Sequence, residues 1–349
     1  MLIYIIVIIL SLLLARLSEK KNKFLYTLLA VIILSMLAGV RDIGTGTDTR
    51  TYTYFFSSIV TGKSSYFVSE PGFVILSRIV MSIFGDVRYA FTFWAFITNF
   101  FMLLTLWKNK GYGSYSFMAF IYICLLYPQS FNITRQLVAV SIVYFSSDFL
   151  KHKKYAFFII GTLIATSIHN SAIIGIAILP IYYYMFNKSA LNRVKLFALV
   201  SISLPALYFA IISSFREKIQ YYTGLSMDGN TSIFVILYII MGVWFLGVLH
   251  QQLVCGNRYN LSEVEYTEKQ YITVLFLIGA LISILGAFYD QMERIALYFI
   301  VFITQFAAIS SKDNKYCQIY KALFILLALY YLFIKVFISG EQGIFLPLV

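Results

Sequence analysis

A chain of 349 residues that is 60% hydrophobic, 18% aromatic and only 12% charged cannot hide its apolar surface inside a water-soluble globule, and must be dissolved in a bilayer. A net charge of +12 would point to nucleic acid in a soluble protein. Here the lysines cluster in short connections between apolar runs, so they report membrane topology, and a nucleic-acid partner is excluded.

Apolar runs at 2–15, 24–40, 89–107, 114–127, 132–150, 155–168, 171–186, 196–213, 231–254, 270–288, 292–310 and 320–338 predict about twelve transmembrane helices. The fold class is therefore all-α, a polytopic integral membrane protein forming one membrane domain over 1–349. The first run is followed directly by Arg16, Lys20, Lys21 and Lys23 and a second apolar run, without a small-residue cleavage site. It reads as a retained span rather than a signal peptide. The second run breaks into Arg41-Asp-Ile-Gly-Thr-Gly-Thr-Asp48, where two glycines free the backbone to turn and charges of both signs suit a polar, phosphate-bearing guest.

Residues 41–88 form a single extracytoplasmic excursion, because 73–84 is too short to span and carries Arg78. That segment is expected to be an interfacial or re-entrant helix, and 49–60 to form another, with Tyr52, Tyr54, Phe55 and Phe56 at headgroup level. Runs 114–127, 155–168 and 171–186 are also short, with breaks at Pro128 and at His169-Asn170, so their ends are expected inside a water-filled cavity. Cys124, Cys255 and Cys317 lie far apart and indicate neither a disulfide framework nor a zinc site.

Orientation is a separate test that uses Lys and Arg alone. With the first span leading inward, most of the 27 basic residues fall on the inner side, among them Lys20, Lys21, Lys23, Lys108, Lys110, Lys151, Lys153, Lys154, Lys188, Arg193 and Lys195. The outer side holds fewer, mostly arginines: Arg41, Arg50, Arg78, Arg88, Arg135, Arg216 and Arg294.

Nearly all polar residues that adjoin apolar helices then face outward. An unpaired charge at a helix centre costs about 2.5–3.5 kcal/mol, so charges held at helix ends are expected to line a shared cavity. Arg135 with Gln136 opens a helix after Pro128 and fits a phosphate clamp, since a planar guanidinium grips phosphate bidentately; an arginine snorkelling to headgroups is the alternative. Arg294 lies one turn after Asp290 and is open to either a clamp or an i,i+4 ion pair. His169, between Ile168 and Asn170, could accept a proton from a hydroxyl or simply cap its neighbours, whereas His152 and His250 look topological. Asp48 and Glu70 are competing bases. No carboxylate cluster has metal-ligand spacing, and the sequons at Asn132 and Asn230 are of the kind that chance produces.

Taken in order, Gly46-Thr-Asp48 with Tyr52, Glu70-Pro-Gly72, Arg135-Gln136, His169-Asn-Ser171 and Asp290 with Arg294-Ile295 resemble the EpsG-like branch of the Wzy polysaccharide (O-antigen) polymerases of bacteria. The resemblance implies a glycosyltransferase in the cytoplasmic (inner) membrane, its active site facing the periplasm or exterior. It would join oligosaccharide repeat units carried on undecaprenyl pyrophosphate, without cofactor or metal. Arg135, Arg294 and Arg41 would bind the pyrophosphate, His169, Asp48 or Glu70 would deprotonate the acceptor hydroxyl, and Tyr52, Gln136 and Asp290 would contact sugar. Membrane lipid and a chain-length regulator protein are the further implied partners. An O-antigen ligase needs the same donor clamp, and a lipid-linked oligosaccharide flippase would line a path through the whole membrane.

Overall fold

The computed structural model describes residues 2–60, 69–187, 263–286, 290–312, 316–338 and 340. Every regular element among them is helical, as the composition requires. In chain order they are α1 (Leu2–Lys21), α2 (Phe24–Gly39), α3 (Thr49–Val60), α4 (Pro71–Phe84), α5 (Val87–Lys108), α6 (Tyr115–Ile121), α7 (Thr134–Lys151), α8 (Tyr155–Ile168), α9 (Ile178–Asn187), α10 (Glu263–Gly286), α11 (Asp290–Ile300), α12 (Ile303–Ser310) and α13 (Cys317–Tyr330). A π turn (Tyr122–Leu126) and a 3-10 turn (Tyr127–Phe131) continue α6, a 3-10 stretch (Asn170–Ala177) precedes α9, and a π segment (Tyr331–Ile338) prolongs α13.

The expectation of about twelve spans is met only in part. Among the described residues, three helical stretches are long and apolar enough to cross a membrane: Leu2–Lys21, Val87–Lys108 and Cys317–Ile338. A fourth exists if Met292–Ile300 and Ile303–Ser310, bent by 45°, form one broken span. The remaining apolar helices, Phe24–Gly39, Pro71–Phe84, Tyr115–Phe131 and Tyr155–Ile168, are shorter, and a π turn and Pro128 fall within Tyr115–Phe131. The spans expected at 196–213 and 231–254, together with Lys188, Arg193, Lys195, Arg216, His250, Cys255 and Asn230, lie outside the described residues. One boundary also moves: α1 carries Arg16, Lys20 and Lys21 on its own last turns, where cations complement the helix C-terminus.

The chain packs as two compact units, Met1–Ile176 with Ala307–Val349, and Ala177–Phe306. In the first, α2 and α7 flank α5, α1 lies along α2, and α8 lies along α7. Buried polar groups find partners between helices, as a low-dielectric setting demands. Ser18 Oγ, Thr27 Oγ1 and Tyr115 OH form a chain of 2.7 and 2.9 Å bonds. Asn99 donates to Ser35 Oγ at 3.2 Å and accepts from Tyr122 OH at 2.6 Å, while Tyr127 OH donates to the Leu34 carbonyl at 2.8 Å. Outward faces are apolar instead: Leu2, Ile6, Ile9 and Leu13 on α1, Leu25 and Met36 on α2, and Phe157, Ile160 and Leu163 on α8 are exposed. In the second unit, α10 lies along α11, with Phe276 stacked on Phe306 at 4.7 Å.

The lysine-rich connections of the first unit collect at one end of the bundle. Asp148, 4% exposed, accepts from Asn109 Nδ2 at 2.9 Å and pairs with Lys151 at 3.0 Å and Lys108 at 3.7 Å. Lys110 reaches Asn22 in the α1–α2 turn. The arginine-bearing 41–48 loop, the start of α4, residues 131–135 and the turn after α8 collect at the other end. The split deduced from basic residues is thus matched by contacts that do not depend on it.

Candidate active site

The second end is assembled by two glycines. Gly46 has φ +85°, and a Cβ there would lie 2.7 Å from the Phe131 carbonyl and 2.8 Å from Asn132 Oδ1. Only glycine lets the 41–48 loop approach so closely, and Thr47 N then donates to Asn132 Oδ1 at 2.6 Å. The loop therefore docks immediately before α7, which begins one residue ahead of Arg135. Asp48 leads into α3, its carbonyl accepting from Tyr52 N at 3.0 Å. Tyr52 turns inward, buried against Phe56 and Phe73.

Gly72 performs the same service for α4. A Cβ at Gly72 would sit 2.3 Å from Ser167 Oγ and 3.0 Å from the Ser167 carbonyl, so α4 starts hard against the end of α8. Pro71 opens the helix and Glu70 stands just ahead of it at the N-cap position. Glu70 consequently faces the turn that follows α8.

Glu70 is the hub. Its Oε1 meets His169 Nδ1 at 2.7 Å and accepts from Asn170 N at 3.3 Å, while Oε2 forms an ion pair with Arg135 Nη1. Arg135 Nε donates to Tyr52 OH at 3.2 Å. The carboxylate is closed off, 5% exposed at its side chain, whereas Arg135 and His169 keep 18% and 20%. An acid thus sits behind a cation and an imidazole that both reach solvent. Burial works against the charged Glu70, but the His169 hydrogen bond and the Arg135 charge outweigh it and hold the carboxyl below its ordinary value. Tyr52 moves the other way: burial raises its phenol in spite of Arg135, so the hydroxyl stays protonated.

Chemically, a neutral imidazole that donates Nδ1–H to a carboxylate presents its Nε2 lone pair outward, the tautomer that can take a proton. The guanidinium beside it has the planar donor fork that recognises phosphate. The cluster contains the elements of a proton acceptor next to an anion site.

Tyr52, Glu70, Arg135 and His169 are brought together from four separate elements. Arg41 lies at the same end but points into rings: it sits 3.8 Å above Phe91, donates to the Phe131 carbonyl at 3.2 Å and leaves its Nε buried without a partner. Burial lowers the Arg41 pKa to about 10. Asp48 is half-buried and takes a bond from Thr47 Oγ1 at 3.3 Å, and Gln136 is buried behind Arg135. Asp290 and an exposed Arg294 belong to α11 of the second unit. One participant escapes sequence reading: Asn132 looks like part of a chance sequon yet latches the loop. Asn170, read only as part of the His169-Asn-Ser171 motif, adds its backbone amide to Glu70.

Fold and cluster together define a class: a helical membrane protein with a carboxylate, imidazole and guanidinium gathered at one end of its bundle. The chain belongs to the EpsG family, whose family model matches residues 24–347. No curated protein and no solved structure matches it. Membership makes it a polysaccharide polymerase-type membrane protein, glycosyltransferase-like in activity.

Proposed function

We propose that the protein is a polysaccharide polymerase that joins oligosaccharide repeat units carried on undecaprenyl pyrophosphate, at the outer face of the cytoplasmic membrane. The observation that carries the reading is the sharing of one buried carboxylate, Glu70, between His169 and Arg135. The acceptor hydroxyl oxygen forms a bond to the anomeric carbon of the donor chain as the bond from that carbon to pyrophosphate breaks. The hydroxyl proton passes to His169 Nε2, and undecaprenyl pyrophosphate departs with the bonding electron pair. Glu70 holds the imidazole in the required tautomer and stabilises the imidazolium that forms, so of the candidate bases His169 takes the proton. Asp48 shapes the start of α3 and is the secondary candidate.

Arg135 stabilises the charge that develops on the leaving pyrophosphate, a preorganised electrostatic role that replaces a metal ion. Arg41 is a further cation for the same group, and Tyr52 and Gln136 are the proposed sugar contacts. The outward placement is supported by the gathering of lysine-rich turns at the opposite end of the bundle.

The direct test incubates the purified protein, in vesicles, with a pyrophosphate-linked repeat unit. A ladder of products spaced by one repeat is expected, and it persists in the presence of a chelator. A single transfer product would replace this reading with a ligase. Movement of substrate across the bilayer without new glycosidic bonds would replace it with a flippase.

A further inference from the structure

A cavity of about 380 Å³ opens at the lysine-rich end of the first unit, away from Glu70. Glu19 from α1, Lys110 from the approach to α6, Phe117 from α6 itself, and Ser311, Lys312 and Lys321 from the α12–α13 region line it. Three ammonium groups thus share its wall with one carboxylate, and that carboxylate is already committed. Glu19 Oε1 accepts from Tyr115 N at 2.9 Å, and Oε2 accepts from Ser116 N at 3.1 Å and Ser114 Oγ at 3.0 Å. It fixes the start of α6, while Lys110 reaches Asn22 and Lys312 Nζ donates to the Gly111 carbonyl at 3.2 Å, contacts that hold both ammonium groups at the cavity.

Two more features distinguish the cavity from a crowd of topological lysines. Ser311 Oγ is buried in the lining without a hydrogen-bond partner, a donor that membrane burial ordinarily does not leave idle. Gly113 holds the walls together at backbone range, since a Cβ there would lie 2.8 Å from the Ala308 carbonyl. The apolar surface that begins beside the cavity is exposed: Leu17 on α1 is 40% exposed, and Ile319 and Leu326 on α13 are 51% and 64%.

We infer that this cavity holds the phosphodiester headgroup of an anionic glycerophospholipid, its acyl chains lying along the exposed faces of α1 and α13. Lys110, Lys312 and Lys321 meet the phosphate, Ser311 Oγ donates to one of its oxygens, and Phe117 supports the glycerol. Basic hollows between helices at a membrane surface suit such headgroups, and each nearby lysine adds attraction.

The test is native mass spectrometry and thermal melting of the detergent-purified protein titrated with phosphatidylglycerol, phosphatidylcholine or inorganic phosphate. Phosphatidylglycerol is expected to remain bound and raise the melting temperature, and phosphatidylcholine to do neither. The triple variant Lys110→Gln, Lys312→Gln, Lys321→Gln is expected to bind phosphatidylglycerol about a hundredfold more weakly. The corresponding Lys→Arg triple is expected to retain it, which reports on folding as well as charge. A control triple at exposed lysines of the same end, Lys20→Gln, Lys21→Gln, Lys153→Gln, is expected to keep the affinity. Equal loss in the control triple, or equal stabilisation by phosphatidylcholine, would overturn the site. Full stabilisation by inorganic phosphate alone would overturn the lipid as its occupant.

Discussion

Glu70 and His169, ninety-nine residues apart in sequence, meet through a 2.7 Å contact between Oε1 and Nδ1 that sets which imidazole nitrogen faces outward. If the carboxylate fixes the tautomer, Glu70→Gln should lower turnover by about a hundredfold to ten-thousandfold while the protein still inserts, because an amide can present N–H to Nδ1 and invert the tautomer. His169→Ala should lose as much, and the double variant little more, since the two act as a unit. Turnover by extension of a pyrophosphate-linked repeat unit measures this. Additive losses would separate the two residues.

Arg135 is held by two different acceptors, Glu70 through Nη1 and Tyr52 through Nε. A lysine keeps the charge but offers its donors from a single nitrogen, without the planar fork that reaches Glu70 and Tyr52 from two, so Arg135→Lys should lose turnover well beyond what its charge predicts. Arg135→Ala should abolish polymer. It also leaves Glu70 buried without its cation, a loss of about 3–5 kcal/mol in stability, so products must be compared at matched amounts of folded protein. Tyr52→Phe removes one acceptor and should cost about 1 kcal/mol. Normal long-chain glycan from Arg135→Ala would remove this residue from the mechanism.

Much of this arrangement was legible in the residues. The glycines of 41–48 and the Glu-Pro-Gly at 70–72 mark a turn and a helix start, and α3 and α4 fall where 49–60 and 73–84 were expected. Lysine placement separated the two ends. Pairing was not legible, because any of Asp48, Glu70 or Asp290 is an equally good partner for Arg135 or His169 until the close contact of Gly72 with Ser167 selects one. The breaks expected at Pro128 and at His169-Asn170 fall at the π and 3-10 turns of 122–131 and 170–177, but hydropathy alone did not fix how long the helices on either side would be. Arg41, read as a clamp, spends part of its guanidinium on Phe91, a contact that depends on how α5 packs.

Gly72 offers a test of position without touching a charged group. Gly72→Ala would drive a methyl into Ser167, pushing α4 from α8 and pulling Glu70 away from His169. Turnover should fall with little change in substrate affinity. Adding Ser167→Gly removes the Oγ collision but leaves the backbone contact at 3.0 Å, so partial recovery is expected. A double-mutant cycle on turnover gives the coupling. Zero coupling would mean that helix approach does not set the site.

Acidity should loosen the cluster in a definite direction. Glu70 titrates below its ordinary 4.5 in the folded protein, so its ion pair contributes full stability above 4.5 and loses it as pH falls through the lower folded value. Melting temperature in detergent should therefore decline on acidification below about 4.5, more steeply for the wild type than for Glu70→Gln. Parallel profiles for the two proteins would show that other carboxyls govern acid lability.

Asn132 supplies the last and most specific expectation. Its Oδ1 accepts from Thr47 N at 2.6 Å and, together with the Arg41 Nη1 bond to the Phe131 carbonyl at 3.2 Å, ties the 41–48 loop to the residue run that leads into Arg135. Asn132→Ala leaves that amide without its acceptor and should destabilise the protein by about 1–3 kcal/mol. Asn132→Asp retains an acceptor oxygen at the same place and should recover most of the loss. If the bond serves the site as well as stability, protease nicking within 41–48 should increase for the alanine variant and return to the wild-type rate for the aspartate. Turnover should follow the same order, because the loop carries Asp48 and leads directly into the helix that presents Tyr52 to Arg135. Equal nicking and turnover in all three proteins would show that the loop is held elsewhere.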